Sequence, residues 1–400
     1  MFFDHDETGR RKLEHSGSLA TTLTNIDYKL GDAISELVDN SIDAQANHIL
    51  IRILRVDGRA TGLVVVDDGD GISKESFDNA MKWAERREYE SGDTGMYGVG
   101  LKTASLSMAE NLTVISRIQG QSANGRRWNR TGADEETIID LDSSRCEQFM
   151  TSIASTLPWT TKSSFDKGTV VLWTDIDEFE TQSQLEENDS KYVDELMKQV
   201  SNHMSLTFHR FLQGSARKVA IAIDVQDSED QKSYGLQWLK PIDPFGYPTS
   251  GDGDFPKVVQ VDNNNLRDLR IRLHIWPKGM ETVNFKIPRA TGNGASNSQG
   301  LYVYRSDRLL MSGSWAGLVS HEAHKILARA EIDLPKNQTD GIRINFNKTA
   351  VTFKPWVLKA IREAHADDGM SVEQWISRAV EVDRANSVQK EITLKLPVPK

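Results

Sequence analysis

The sequence predicts an α+β protein with helices laid over a mixed sheet, and three observations lead there. In residues 28–46, YKLGDAISELVDNSIDAQA, steps of 100° per residue bring Ile34, Leu37, Val38 and Ile42 to one side, the pattern of an amphipathic helix. Residues 48–56 (HILIRILRV) and 61–73 (TGLVVVDDGDGIS) are runs of strand length rich in β-branched residues, the second ending in a glycine turn. Helical and strand-like stretches then succeed one another with no internal repeat, as in a two-layer α+β sandwich.

The remaining elements follow in order. Residues 1–25 are polar and read as an arm. Residues 74–90 (KESFDNAMKWAERREYE) are helical, and a glycine loop leads into a helix and then a strand over 102–119. GTVVLWTDI at 168–176 is a further strand. The acidic, polar stretch 177–190 marks a boundary, so one domain is expected over 26–180 and a second over 181–355. The second half reads as a long helix at 191–213, strands at 219–225 and 269–276, and a hairpin around Ser306-Asp307. A helix at 318–330, a strand at 331–334, a loop-rich segment with two lysines at 334–353 and an amphipathic helical tail over 356–400 complete it.

Composition narrows the class. With 400 residues, 38% hydrophobic and 26% charged, the chain has the make-up of a globular protein with more than one core. No apolar run is long enough for a membrane-spanning helix, and the charged start lacks the apolar stretch of a signal peptide, so a cytoplasmic protein is expected. Cys146 is the single cysteine, which excludes an internal disulfide framework and a cysteine-based zinc site. A net charge of −10 argues against constitutive, salt-driven binding to nucleic acid. The basic cluster GRRWNR at 125–130 is expected to be a solvated loop.

Three short motifs carry the chemistry. On the first helix Glu36, Asp39, Asn40 and Asp43 form a polar face; carboxylates with an amide oxygen suit Mg²⁺, which takes oxygen ligands. A solvated acidic face is the competing reading. The strand ending Asp67-Asp68-Gly69-Asp70-Gly71 puts a carboxylate beside glycines that allow close approach, and such a carboxylate can accept from an exocyclic amine. As a calcium loop it fails, because position 12 counted from Asp67 is Asp78 instead of glutamate. In GMYGVGLKTAS (95–105), Gly95 and Gly100 have P-loop spacing, but Leu101 stands where the P-loop lysine belongs and no buried strand precedes it. What remains is a glycine hinge into a helix N-terminus, where backbone N–H groups and Lys102 attract phosphate.

E-x-x-x-N, D-x-G-x-G and G-x-G-L-K in this order resemble the GHKL (Bergerat-fold) ATPase superfamily, and ELVDNSIDA with YGVGLKTAS is most similar to its MORC and MutL members. The resemblance implies a Bergerat-type α/β sandwich binding ATP and Mg²⁺. Glu36 would be the general base and Asn40 would hold Mg²⁺. Asp67 would take the adenine amine, with Gly69 and Gly71 shaping the pocket. Gly95, Gly98, Val99, Gly100, Leu101 and Lys102 would close over the phosphates, and Thr169 of the Gly168-Thr169 pair would support adenine. Asp68 stands where the family more often has asparagine.

GLYVYRSDRLLMSGSW (300–315) resembles the transducer hairpin of the same proteins, which implies a ribosomal-protein-like α/β transducer domain after the nucleotide domain. Such domains supply a lysine to the γ-phosphate; Lys348 in FNKTAVTFKPW is the first choice and Lys336 the second, and either can equally be a solvated loop lysine. SHEAHK (320–325) has its histidines at i, i+3, too close for the zinc-protease pattern, and reads as an exposed helix start. The expectation is an Mg-dependent ATPase acting as an ATP-gated homodimeric clamp, with DNA or chromatin a client by analogy only. The alternative is a nucleotide-switched binding module with negligible turnover that acts through a partner.

Overall fold

The computed structural model describes residues 7–12, 28–80, 100–129, 137–160, 165–176, 179, 189–229, 231–277, 298–335 and 340–395. It is α+β, in two compact units: residues 1–204 with 211–240, and residues 205–210 with 241–400.

The first unit is built on a nine-stranded sheet. Its elements are β1 (Glu7–Lys12), α1 (Leu30–Asp43), β2 (His48–Val56), β3 (Arg59–Asp67), α2 (Lys74–Ala80), α3 (Gly100–Met108) and β4 (Ala109–Arg117). Then come β5 (Asn124–Asn129), β6 (Thr137–Leu141), α4 (Ser143–Ala154), β7 (Gly168–Ile176), α5 (Asp189–Thr207), α6 (His209–Gln213), β8 (Ala220–Asp227) and β9 (Ser233–Trp238). The strand order is β1-β6-β5-β4-β7-β3-β2-β8-β9. Every pairing is antiparallel except β2 with β8, which run parallel.

The central strands of the sheet are buried on both faces, whereas edge strand β9 is exposed. Leu50, Leu54, Val64, Val66, Val170 and Leu172 pack with Cys146 and Met150 of α4. The alternate set Ile49, Ile51 and Ile53 is equally buried, as the two-residue period of a covered strand requires. Helix α1 buries Ile34, Leu37, Val38 and Ile42. It ends in a Schellman pattern: the Ala46 N–H bonds the Ser41 carbonyl, the Gln45 N–H bonds Ile42, and Gln45 takes a left-handed φ of 61°. The Arg217 guanidinium adds donors to the Ile42 and Ala46 carbonyls there. Strands β2 and β3 turn through Asp57-Gly58, both with positive φ, the twist a two-residue hairpin needs.

Residues 219–238 lie beyond the acidic stretch at 177–190, yet they form β8 and β9 of this first sheet. A buried pair fixes that placement: Arg52 Nε and Nη2 donate to Asp224 at 2.8 and 2.7 Å across β2 and β8, and Arg52 Nη1 donates to Thr156 Oγ1 at 2.7 Å. The GRRWNR cluster is not the expected solvated loop. Its residues 125–129 lie in β5, with Trp128 fully buried and Arg126 nearly so.

In the second unit β10 (Lys257–Gln260), β11 (Arg270–Ile275), β12 (Gly300–Arg305), β13 (Arg308–Ser314), β14 (Ala328–Asp333) and β17 (His365–Ala366) make a six-stranded sheet ordered β13-β12-β14-β11-β10-β17. β15 (Ile342–Ile344) and β16 (Val351–Phe353) form a separate hairpin, and α7 (Pro355–Arg362) and α8 (Val372–Lys395) complete the unit. The β12–β13 turn has Ser306 and Asp307 at φ 47° and 65°, as the hairpin reading expects. Residues 318–330 do not form the expected helix. A 3₁₀ turn at Ala323–Lys325 leads into β14, which is held between β11 and β12, and sheet pairing overrides the local helical preference. The long helix at 191–213 is interrupted at Phe208, and the tail is interrupted by β17 between α7 and α8. Three buried tryptophans anchor the core and each indole N–H is satisfied: Trp276 to the Pro244 carbonyl, Trp315 to Gln299 Oε1 and Trp375 to the His274 carbonyl.

Candidate functional site

The first unit brings α1, the end of β3, the start of β7 and the start of α3 into one site. Glu36 projects from α1 and is only 3% exposed. Helices α1 and α3 pack on each other, and a Cβ built on Gly100 would lie 2.5 Å from Glu36 Oε2. Glycine at 100 is therefore what lets the first turn of α3 close on this carboxylate. Helix N-termini carry unsatisfied N–H groups and a partial positive charge, so this is a place for anions.

Asp67 ends β3 and is 5% exposed. Its Oδ2 accepts from Ser41 Oγ at 2.8 Å and its Oδ1 from the Gly69 N–H at 2.9 Å. Burial pushes its pKa up to about 6 against the opposing effect of those hydrogen bonds. Gly71, at φ 75°, would drive a Cβ to 2.2 Å from the Arg117 carbonyl, so no side chain fits there. Gly168, at φ 136°, presses on the Asp67 carbonyl in the same way, with a Cβ 2.0 Å away. Gly168 thus lets the β3 and β7 ends close on each other and Gly71 lets the turn after β3 close on the end of β4, and Thr169 pairs directly opposite Asp67. Asp68 points elsewhere: its carboxylate accepts from the N–H groups of Asn47 and His48, at 2.7 and 2.9 Å, and meets His48 Nδ1 at 2.7 Å. Three partners converging on it account for an acid at this position.

Asn40 is exposed on α1, and its side-chain amide makes no hydrogen bond among the described residues. One amide oxygen on an open helix face fits an Mg²⁺ that keeps waters and takes phosphate oxygens as its other ligands. Among the described residues no cluster of three or more His, Cys, Asp or Glu could hold a metal by itself. The polar face of α1 is not the solvated surface it could have been, since Asp39 is fully buried along with Glu36.

Leu101 and Lys102 lie in the first turn of α3. Lys102 is 1% exposed, and its ammonium sits 5.6 Å from the Trp128 ring centre. Gly95, Gly98 and Val99 lie outside the described residues, as does Lys336. Lys348 belongs to the second unit, in the turn between β15 and β16. It adopts φ 52°, is 4% exposed, and its carbonyl accepts from Arg308 Nη1 at 2.9 Å.

Sequence reasoning passed over Ser41, Ser116 and Trp128. Ser41 was legible in principle, one turn from Leu37 on the Glu36 helix; Ser116 and Trp128 could be found only from strand register. Chemically, the site offers a buried acceptor for an amine, a carboxylate for a proton, and a helix N-terminus with a lysine for an anion.

Residues 28–160 match the family described as "Histidine kinase-, DNA gyrase B-, and HSP90-like ATPase". Protein MICRORCHIDIA 5 of Arabidopsis thaliana is 30% identical over 116 residues, 28% of this chain and 16% of that protein. Human ATPase MORC2 is 28% identical over 127 residues, 31% of this chain and 12% of that protein. The matched stretches thus span a small part of these relatives, at most 16% of their length. A solved structure, the N-terminal domain of a DNA repair protein, covers 92% of this chain and 98% of its own at a TM-score of 0.51 and 16% identity, a likeness of fold. Residues 28–160 are therefore an ATPase-type nucleotide domain of the GHKL superfamily, related in sequence to the MORC proteins.

Proposed function

We propose that the chain binds ATP with Mg²⁺ and hydrolyses it, and that ATP closes two copies into a clamp. The observation that carries this reading is the meeting of Glu36 with the start of α3 in the same unit as the Asp67 pocket. Adenine enters between the β3 and β7 ends, its exocyclic amine donating to Asp67, with Thr169 beside it. The phosphates lie at the N-terminus of α3, where backbone N–H groups, Leu101 and Lys102 receive them. Gly95, Gly98, Val99 and Gly100 form the segment that closes over them. Asn40 holds Mg²⁺, which offsets phosphate charge when bound.

Glu36 accepts a proton from a water as that water attacks the γ-phosphorus and ADP leaves. Its burial beside a helix end keeps it poised and shielded from bulk water. In the same proposal the second unit is the transducer domain, residues 356–400 its mostly helical end, broken at β17, and Lys348 the cation that offsets charge developing on the γ-phosphate. An arm at 1–25 and a cytoplasmic location belong to it as well, while the expected limit at 180/181 gives way, since residues 219–238 complete the first sheet. DNA or chromatin is the client by analogy with the relatives alone.

Two measurements test this. Asn40→Ala should abolish Mg²⁺-dependent tightening of ATP binding while leaving adenosine binding intact; unchanged Mg-ATP affinity sinks the site. Light scattering should show a dimer with a non-hydrolysable ATP analogue and a monomer without it; a monomer in both conditions removes the clamp.

A further inference from the structure

Ser116 sits on β4, fully buried, and pairs directly opposite Thr169 of β7. Its hydroxyl has three neighbours. The Ile72 N–H donates to Ser116 Oγ at 2.8 Å, Ser116 Oγ lies 3.0 Å from the Gly168 carbonyl, and Thr169 Oγ1 lies 2.9 Å away. A serine hydroxyl has one proton and two lone pairs. The Gly168 carbonyl can only accept and the Ile72 N–H can only donate. Ser116 therefore gives its proton to Gly168 and keeps its second lone pair for Thr169, so Thr169 must spend its own proton on Ser116.

The consequence reaches the base pocket. With its proton committed, the Thr169 hydroxyl offers only lone pairs, on the strand directly opposite Asp67. An ionised Asp67 also offers only lone pairs. Two neighbouring strands thus present acceptors alone, which suit the two N–H groups of a 6-amino purine and oppose the 6-oxo group of hypoxanthine or guanine. We propose that Ser116 is a positioning residue for base specificity: by fixing the direction of the Thr169 hydroxyl it makes the pocket reject 6-oxo purines. This rests on the nucleotide-binding reading above.

The test is equilibrium binding of ATP and ITP, with Mg²⁺, to the full chain. ITP differs from ATP in carrying an oxo group in place of the amine and an N–H at ring position 1. Wild type should prefer ATP strongly. In Ser116→Ala the Thr169 hydroxyl is free to turn and donate, so the preference should shrink by about tenfold, chiefly through tighter ITP binding. That change should vanish when Thr169→Val is already present, since no hydroxyl is left to turn. Parallel weakening of both nucleotides in Ser116→Ala, with the ratio unchanged, means a purely structural serine and overturns the proposal.

If Ser116→Ala fails to fold, the comparison moves to Thr169→Ser, expected to keep the preference, against Thr169→Val, expected to lose much of it. A preference retained by Thr169→Val overturns the proposal. Wild type that binds neither nucleotide overturns the functional reading together with it, an outcome distinct from binding without discrimination.

Discussion

Replacing Asp67 with asparagine should make the nucleotide-free protein more stable and the nucleotide complex weaker. Burial raises the Asp67 pKa from 3.8 to about 6, a shift of about 2.2 pKa units. At about 1.4 kcal/mol per unit, the ionised carboxylate destabilises the fold by roughly 3 kcal/mol. The sign follows from which state holds the proton more tightly, and here it is the folded chain. Below pH 4 both states are protonated and the cost is absent; it grows as pH rises and is complete above about pH 6. Asparagine carries no charge to desolvate. Its amide oxygen can accept from the Gly69 N–H and its amide nitrogen can donate to Ser41, whose proton then turns to the Leu37 carbonyl 3.2 Å away. Asp67→Asn should therefore match wild type in thermal melts at pH 4 and exceed it at pH 8. The gain should approach 6–12 °C, taking roughly 2–4 °C per kcal/mol for a unit of this size. ATP affinity should move the other way, because the amide is a poorer acceptor for the adenine amine. Parallel melting curves across pH would refute the claim that Asp67 is buried and ionised at neutral pH.

Three further outcomes follow from the same geometry. Gly100→Ala places a Cβ 2.5 Å from Glu36 Oε2, so the carboxylate must move; ATP turnover should fall by more than about tenfold with affinity held within about threefold, and undiminished turnover would contradict this. Asp224→Ala leaves Arg52 charged and buried, which should cost about 3–5 kcal/mol in denaturant unfolding, whereas Arg52→Met with Asp224→Leu should restore most of it; a loss under about 1 kcal/mol would show that water reaches the pair. Trp128→Leu removes the π-face beside the Lys102 ammonium and should weaken ATP by about tenfold while sparing adenosine, with Trp128→Phe retaining most of the affinity; equal weakening of ATP and adenosine would mean that Trp128 only fills the core.

Much of the first unit was legible because each signal was local. The i, i+3, i+4 spacing of Ile34, Leu37 and Val38 sufficed for α1, and the β-branched runs at 48–56 and 168–176 sufficed for β2 and β7. The candidate site residues are legible where a motif holds them in one stretch, as with Glu36 and Asn40 or Asp67, Gly69 and Gly71. What escaped depends on pairing between distant strands. Trp128 in GRRWNR looks solvated until β5 is seen lying beside β4, and Ser116 has no meaning until its register against Thr169 is known. Residues 318–330 carry helical composition, but β14 gains two neighbouring strands by extending, a reward that local propensity does not register. The placement of β8 beside β2 follows from the Arg52–Asp224 pair, whose members are 172 residues apart.

The central claim is that Glu36 is the base of an ATP-hydrolysing site. Steady-state ATP turnover of wild type and Glu36→Ala, with Mg²⁺ present and ATP binding measured on the same samples, tests it most directly. The account predicts that wild type turns over and that Glu36→Ala binds ATP with no measurable hydrolysis. Turnover by Glu36→Ala at the wild-type rate would contradict it, as would ATP binding by wild type with no hydrolysis at all.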